Sequence, residues 1–376
     1  MPAWPIRFDL RVDRDDPALM RALITAEAYA QGIRGIPIPP AAQFRLDRLN
    51  ILRAVRGTTG IEGSSLSEEE VGRIIDAKDD TAILPHGRER EEREARNAAR
   101  VMRFVSESLT RDPEEPLTES LICQLHRLTT DGIPYPNNIP GEYRHHAVSA
   151  GDYVPPRDGA DVRQLMTTFV RWLNGDPVRH WHPIVRAVAA HFYFISIHPF
   201  GDGNGRTARA IESFLLYQAH INARGFYSLA NFYYRNRTEY IETLDEVRFR
   251  SKNSLMPFIR FASDGLVQEL KTVYDEIIAE ATLVAFRDYA RSSLQVAGKQ
   301  GTPAGERMLH LLDALGREPI ELITIRRGPH PLYFLYRGLS SRTLTRDLDF
   351  LRDAHLIAIE DGRVRARLDV MEQFKP

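Results

Sequence analysis

The stretch Phe194-Ile-Ser-Ile-His198-Pro-Phe-Gly-Asp202-Gly-Asn-Gly-Arg206-Thr-Ala-Arg209-Ala210 decides how the chain is read. An imidazole, a carboxylate, a glycine-rich turn and two arginines stand in one short run, and together they are the inventory of a polyphosphate site. Pro183 to Ile197 is almost wholly apolar, which predicts a helix buried on most sides. Pro199 disfavours helical backbone at His198, so the imidazole is expected in an irregular turn at the helix end. Asp202 or Asn204 is a suitable cap for a second helix running through Thr207 to Ala219. Gly203-Asn204-Gly205 then lies where backbone N–H groups are unpaired and the helix dipole favours anions. Arg206 and Arg209, three apart, share a face beside that anion site.

A lone Gly-Asn-Gly turn usually only connects elements, and a lone His before Pro is usually structural; their coincidence in one run carries the argument. Neither a G-x-x-x-x-G-K-[ST] loop nor the dinucleotide glycine spacing is present. The run His198-Pro-Phe-Gly-Asp-Gly-Asn-Gly-Arg-Thr-Ala-Arg209 closely resembles the Fic-domain signature H-P-F-x-[DE]-G-N-G-R-x-x-R, without departure at any fixed position. The resemblance implies a mainly α fold, with an all-helical Fic core and a short β-hairpin flap. It also implies transfer of AMP from ATP to a Ser, Thr or Tyr hydroxyl of a target protein, with release of pyrophosphate. Carried over by position, His198 is the general base and Asp202 holds Mg²⁺. Gly203, Asn204, Gly205, Arg206 and Arg209 hold the phosphates. A histidine's ordinary pKa of about 6.5 suits the base role near neutral pH.

Upstream, Thr58-Thr-Gly-Ile-Glu62-Gly63 matches the Fic inhibitory pattern [ST]-x-x-x-E-[GN]. Alone, so short a pattern would be an ordinary exposed helix end. Beside the signature it implies that Glu62, supported by Thr58, pairs with Arg209. An arginine held in a bidentate carboxylate fork cannot also clamp a γ-phosphate. The helix carrying this motif spans Ala41 to Glu62, with Phe44, Leu49, Leu52 and Val55 on one face and Gly63 as terminator. Before it, Asp16-Pro17 opens a helix to Gln31; after it, Ser67 to Glu70 reads as a capping box.

The run Gly87 to Arg103, dense in both charges, reads as a solvated helix with i,i+4 pairs. Leu117, Leu121, Leu125 and Leu128 repeat at helical spacing, and Cys123 among them is a packing residue. Asp131 to Pro156 holds five prolines and several glycines, and within it 143–148 and 151–156 read as two arms of a surface ribbon; by resemblance this is the flap that docks the target through Tyr153, Val154 and Pro155. His145 and His146 lack partners at metal-ligand spacing. His191 on the apolar helix reads as a core histidine, and Tyr240 is a candidate adenine contact.

With 376 residues, 43% of them hydrophobic, the composition is that of a globular protein of two or three domains. The formal net charge of −1 gives no global attraction to nucleic acid or membrane. The single cysteine excludes an internal disulfide, and neither a leader nor a long apolar span is apparent, so a cytoplasmic location is expected. The expected domains are a helical N-terminal region, 1–110, with the inhibitory motif at 58–63; a catalytic core, 111–291; a Gly/Ser-rich linker, 292–305; and a C-terminal domain, 306–376. In the last, helices precede a hairpin around Glu360-Asp-Gly-Arg363, which resembles a winged-helix (α+β) module. From Gly301 onward basic and acidic residues nearly cancel, and Asp347, Asp349 and Asp353 interrupt Arg342, Arg346 and Arg352. DNA is therefore the weaker partner, behind a protein target or a homodimer. Three alternatives stand beside AMP transfer: Glu62 serving removal of AMP in a bifunctional or predominantly de-AMPylating enzyme; a winged-helix regulator whose Fic domain senses nucleotide; and transfer of phosphate or phosphocholine, against which the resemblance sets the intact Gly-Asn-Gly turn and Asp202.

Overall fold

The computed structural model describes residues 4–77, 82–222, 229–315, 319–327 and 331–374. The chain is mainly α. Among the described residues eleven α-helices come first: α1 (Pro17–Gly35), α2 (Pro40–Ile61), α3 (Glu68–Asp76), α4 (Glu89–Arg111), α5 (Glu119–Thr130), α6 (Gly159–Asn174), α7 (Pro183–Ile197), α8 (Asn204–Gln218), α9 (Leu229–Arg235), α10 (Arg237–Phe249) and α11 (Met256–Val296). Residues up to Gly35 together with Pro39–Tyr274 form one compact unit. A second unit comprises Ile36–Ile38 and the chain from Asp275 onward.

Local chemistry explains the helix ends. Asp16 accepts from the Leu19 amide at 2.9 Å, with Pro17 at the first helical position of α1. Ser67 and Glu70 close a complete capping box on α3. Thr118 caps α5, and Asp158 caps α6. In α7, Ile184 to Ile197 is buried except at Arg186, as a nearly all-apolar helix requires. It packs against α8, and the pair forms the spine of the site.

Two of the expected boundaries differ in the structure. No break occurs at 110/111, because α4 runs to Arg111 and packs against α2, α5 and α8. The second division falls inside α11, between Tyr274 and Asp275, rather than at 292–305. Helix α11 continues to Val296 because Phe286, Ala290 and Leu294 on its far half are buried in the core of the second unit. Phe44 also departs from expectation: it is 72% exposed, while Leu52 and Val55 of the same helix are buried.

Helix α2 lies close on α9. At Gly57 a Cβ would stand 2.7 Å from the Ala230 and Asn231 backbone, and at Gly60 it would stand 2.4 Å from the Tyr234 ring. Gly57→Ala gains up to about 1 kcal/mol of helix propensity but loses about 1–3 kcal/mol to overpacking against backbone that cannot rotate away. The melting temperature is therefore expected to fall by a few degrees; a thermal melt in which Gly57→Ala stabilises would contradict this packing.

The flap is closed by one antiparallel bridge, Ala150 with Tyr153, rather than by a ladder between 143–148 and 151–156. The reason is that Arg144 and Tyr153 turn inward. Tyr153 is 1% exposed and its hydroxyl donates to the Ser196 carbonyl at 2.8 Å. Pro155 is also buried and Val154 half-buried. These side chains anchor the ribbon, and the edge from Ala147 to Asp152 faces the cleft.

In the second unit, α12 (Pro303–Leu315), β1 (Ile320–Glu321), α13 (Leu322–Arg327), α14 (Pro331–Tyr336), α15 (Ser341–Asp353), β2 (Ile357–Glu360) and β3 (Arg363–Ala366) follow in order. The sheet is antiparallel in order β1-β3-β2, with Ile359 opposite Val364 and Ile320 on the other side of Val364. Leu344, Leu348 and Leu351 of α15 join the sheet residues Ile357 and Val364 in one core. Asp347, wholly buried, accepts on Oδ2 from Arg307 Nε at 2.7 Å and from the Tyr336 hydroxyl at 3.2 Å.

Candidate active site

The site is built where α7 ends and α8 begins. His198 terminates α7 in the left-handed conformation (φ 53°, ψ 58°), the irregular turn that Pro199 implies. This conformation is costly for a residue with a side chain. The cost is offset by the His198 amide donating to the Phe194 carbonyl at 3.0 Å and by Arg144 donating to the His198 carbonyl at 2.7 Å. The ring Nδ1 lies 3.2 Å from the Ile195 carbonyl. A carbonyl can only accept, so Nδ1 carries the proton and Nε2 keeps its lone pair. Burial pushes the imidazole down to about 4, aided by the charges of Arg144 and Arg248 and opposed by the Ile195 carbonyl and Glu62. His198 is therefore neutral at physiological pH.

The loop after it is held from several sides. Asn204 is 2% exposed; its Oδ1 accepts from the Phe200 amide at 2.9 Å and its Nδ2 donates to the Phe200 carbonyl at 2.9 Å. Its side chain thus ties the loop to itself instead of reaching into the cleft as a phosphate ligand. Neither Asp202 nor Asn204 caps α8: Gly203 does, at φ 73°, with no side-chain bond. A Cβ at Gly203 would stand 2.6 Å from Thr130 Cγ2, so glycine suits both the conformation and the space. The first-turn amides of α8 consequently have no intrahelical partner, and no N-cap side chain accepts from them.

Glu62 stands in that anion position. A Cβ on Gly205 would be only 2.3 Å from Glu62 Oε1, so the carboxylate rests directly on the first turn of α8. Arg209 donates through Nη2 to Glu62 Oε1 at 2.7 Å and to the Thr58 carbonyl at 3.0 Å, and through Nε to Thr58 Oγ1 at 2.8 Å. The grip differs from the bidentate fork that the motif suggests: Glu62 takes one arm of the guanidinium and Thr58 takes two contacts. Burial alone would raise the Glu62 carboxyl, but the charge and hydrogen bond of Arg209, with Arg206 and His198 adding, hold it below its ordinary value. Arg237 donates to the Ile61 carbonyl at 3.0 Å and closes the end of α2.

Arg206 and Arg209 do not act alike. Arg209 lines the cleft, whereas Arg206, 5% exposed, is turned below the loop onto Asp202 Oδ2 at 3.1 Å and Glu94 Oε1 at 3.1 Å. The cleft itself, of about 1060 Å³, is lined by Glu62, His198, Gly203, Arg209, Tyr240 and Arg248 among others. Tyr240 is 4% exposed, and its hydroxyl is bonded to His191 Nε2 at 2.9 Å. Its ring is therefore fixed in the cleft wall, with the charges of Arg209 and Glu62 nearby.

Several residues of the site were not legible from motif reading. His126 of α5 stacks on Phe200 at 3.6 Å, takes the Gly141 amide on Nδ1 at 2.9 Å and donates from Nε2 to the Asp202 carbonyl at 3.0 Å. Burial lowers its pKa to about 4. Asn138 Oδ1 receives the Asp202 amide at 3.0 Å. Arg144 also donates to the His146 and Pro156 carbonyls, at 2.7 Å and 2.6 Å, joining the 143–156 ribbon to the His198 turn. Glu92, Glu94 and Asn97 of the charged α4 are buried, so that run is a solvated helix only on its outer face.

The Fic/DOC family model matches residues 116–216, which covers α5 to most of α8. Among curated proteins, the protein adenylyltransferase Fic of Drosophila ananassae is 29% identical over 247 residues, 65% of this chain and 46% of that protein. The Drosophila persimilis protein of the same name is 30% identical over 65% of this chain and 45% of its own length. The chain thus spans about half the length of the curated relatives it matches. A solved Fic family protein from Desulfovibrio desulfuricans superposes with TM-score 0.58 at 20% identity, covering 97% of this chain and 98% of that one. Fic-1 from C. elegans does so with TM-score 0.56 at 24% identity, over 68% of this chain and 71% of that one. With the signature residues gathered around one cleft and the family model laid over the helices that carry them, residues 116–216 of the chain make up a Fic-type domain.

Proposed function

We propose that the chain is a protein adenylyltransferase that moves AMP from ATP to a hydroxyl side chain of a target protein and is held back by its own Glu62. The observation that carries this reading is the position of the Glu62 carboxylate. It lies on the first turn of α8 and on Arg209, where a terminal phosphate would bind. An anion site filled by a carboxylate of the same chain is a polyphosphate site with an internal competitor.

In the working state the amides of Gly203 and Gly205 face the phosphates and stabilise the charge developing at the α-phosphorus. Arg209, freed from Glu62, holds the leaving pyrophosphate. His198 Nε2 takes the proton from the incoming hydroxyl as its oxygen bonds to the α-phosphorus and the bond to the bridging oxygen breaks. The edge from Ala147 to Asp152 presents the target segment by main-chain pairing, with Tyr153 and Arg144 as its anchors. Tyr240 bounds the adenine end.

The donor set suits magnesium carried in on the nucleotide. Among the described residues no cluster of three His, Cys, Asp or Glu could cage a metal. Mg²⁺ is ordinarily held by one or two carboxylates plus substrate phosphates. Asp202 fits: Oδ2 is engaged by Arg206, while the residue lines the cleft, leaving Oδ1 for the cation. Bound there, Mg²⁺ would neutralise phosphate charge.

For the C-terminal unit we favour a winged-helix module that contacts protein rather than DNA. Arg352 of α15 pairs with Asp349 at 3.0 Å, and Arg367 beyond β3 pairs with Asp369 at 2.6 Å, so these charges are already matched. No helix among the described residues is long and apolar enough to cross a membrane. The test of the whole reading is incubation of the Glu62→Gly chain with labelled ATP in a lysate, followed by mass spectrometry. An AMP adduct on a Ser, Thr or Tyr side chain is expected; phosphate adducts alone would overturn it.

A further inference from the structure

Four charged side chains from two helices and the signature loop close into a ring. Glu94 Oε1 accepts from Arg90 Nε at 3.1 Å and lies 3.1 Å from Arg206 Nη1. Asp202 Oδ2 accepts from Arg206 Nη2 at 3.1 Å and lies 3.5 Å from Arg90 Nη2. The ring is electrically balanced, two carboxylates against two guanidiniums. Its inner members are enclosed: the Glu94 side chain is 8% exposed and that of Arg206 5%, while that of Arg90 is 51% exposed and leans over the Tyr135 ring. Both arginines act on the same oxygen of Asp202, which fixes the carboxylate with its other oxygen free. Arg206, although within the signature, is thereby part of the ring.

We propose that Glu94 is a positioning residue for the metal-bearing nucleotide, acting through Arg90 and Arg206 on Asp202. This rests on the reading of the cleft as a Mg²⁺–ATP site. With Glu94 present, each arginine divides its attraction between two carboxylates. Asp202 is then oriented without being so strongly neutralised that a divalent cation cannot compete for it. Without Glu94 the only carboxylate left to both arginines in the ring is Asp202. A cation arriving on the phosphates must then overcome two guanidiniums, whereas the phosphates themselves meet one more unit of positive charge. Carboxylates that orient a ligand from behind commonly change metal affinity by about 10–100-fold when removed.

The experiment is binding of a fluorescent ATP analogue to the full chain, titrated with MgCl₂, in the Glu62→Gly background where Arg209 is free. Adding Glu94→Gln should raise the half-saturating Mg²⁺ concentration about tenfold or more while leaving metal-free nucleotide binding equal or tighter. Arg90→Gln alone removes one competitor for Asp202 and should lower the Mg²⁺ requirement. Because Arg90 is half exposed, this variant keeps the test open should Glu94→Gln fail to fold. Glu94→Gln with Arg90→Gln restores the charge balance and should return the Mg²⁺ requirement close to its starting value. A purely structural Glu94 predicts lower melting temperatures in all three variants and no such restoration. An unchanged Mg²⁺ requirement in Glu94→Gln or Arg90→Gln, or no restoration in the double variant, overturns the proposal. If the Glu62→Gly chain binds nucleotide with no dependence on Mg²⁺ at all, the metal reading of Asp202 falls, and the proposal with it.

Discussion

Glu62→Gly raises AMP transfer about 10–100-fold over the unaltered chain. The expected size follows from what is removed. A hydrogen bond to a charged group contributes about 1.5–3 kcal/mol net, and each 1.4 kcal/mol is a factor of about ten. Glu62 gives Arg209 one such bond, at 2.7 Å, and also fills the space above Gly205. Thr58 keeps its two contacts with Arg209, so the buried guanidinium is not left without partners and the chain should remain folded. Nucleotide should accordingly raise the melting temperature of Glu62→Gly more than that of the parent, since a ligand stabilises in proportion to its affinity for the folded state. Glu62→Gln, which keeps the shape but not the charge, should fall between them. Equal transfer by parent and Glu62→Gly would leave the pairing as a structural contact only.

His198→Ala in the Glu62→Gly background lowers transfer about 100–10,000-fold, the usual worth of a positioned general base. Nucleotide binding should persist, because no phosphate contact comes from the imidazole, and a thermal shift with ATP separates the two effects. The pH profile adds an independent check. The base must be neutral to accept a proton, and burial holds His198 near 4 rather than at its ordinary 6.5. A lowered pKa extends the neutral form to lower pH, so the acid limb of kcat/KM should lie well below 6.5. Removing Glu62, whose charge pulls the imidazole upward, does not move the limb back toward neutrality. An acid limb at 6.5 or above in Glu62→Gly would rule out this environment for His198 as the base.

The run His198 to Arg209 was readable because its chemistry is contiguous: a helix end, a glycine turn and a helix start follow from Pro199, Gly203 and the apolar residues around them. The contact of the Thr58 to Gly63 segment with Arg209 was readable for a different reason, as a short motif made meaningful by the signature. The details that escaped are all made by contacts distant in sequence. Glu94 looks like one more charge in a solvated helix, and only the packing of α4 against α8 buries it beside Arg206. Asn204 reads by resemblance as a phosphate-binding residue; that its side chain also makes two bonds to Phe200 appears only once the loop folds back. Tyr153 and Pro155 look like a docking edge, yet α7 offers the Ser196 carbonyl that draws the tyrosine inward. The boundary inside α11 was hidden because Ser292 to Gly305 has the composition of a linker, whereas Phe286, Ala290 and Leu294 commit the helix to the second core.

The proposed transfer breaks a single bond, that between the α-phosphorus and the bridging oxygen of ATP. The most direct measurement is therefore parallel incubation of the Glu62→Gly chain and its target-bearing lysate with α-labelled and γ-labelled ATP. Label in protein from the α position alone, lost in Glu62→Gly with His198→Ala, is the predicted result. Label from the γ position, or α-label that survives the loss of His198, would contradict it.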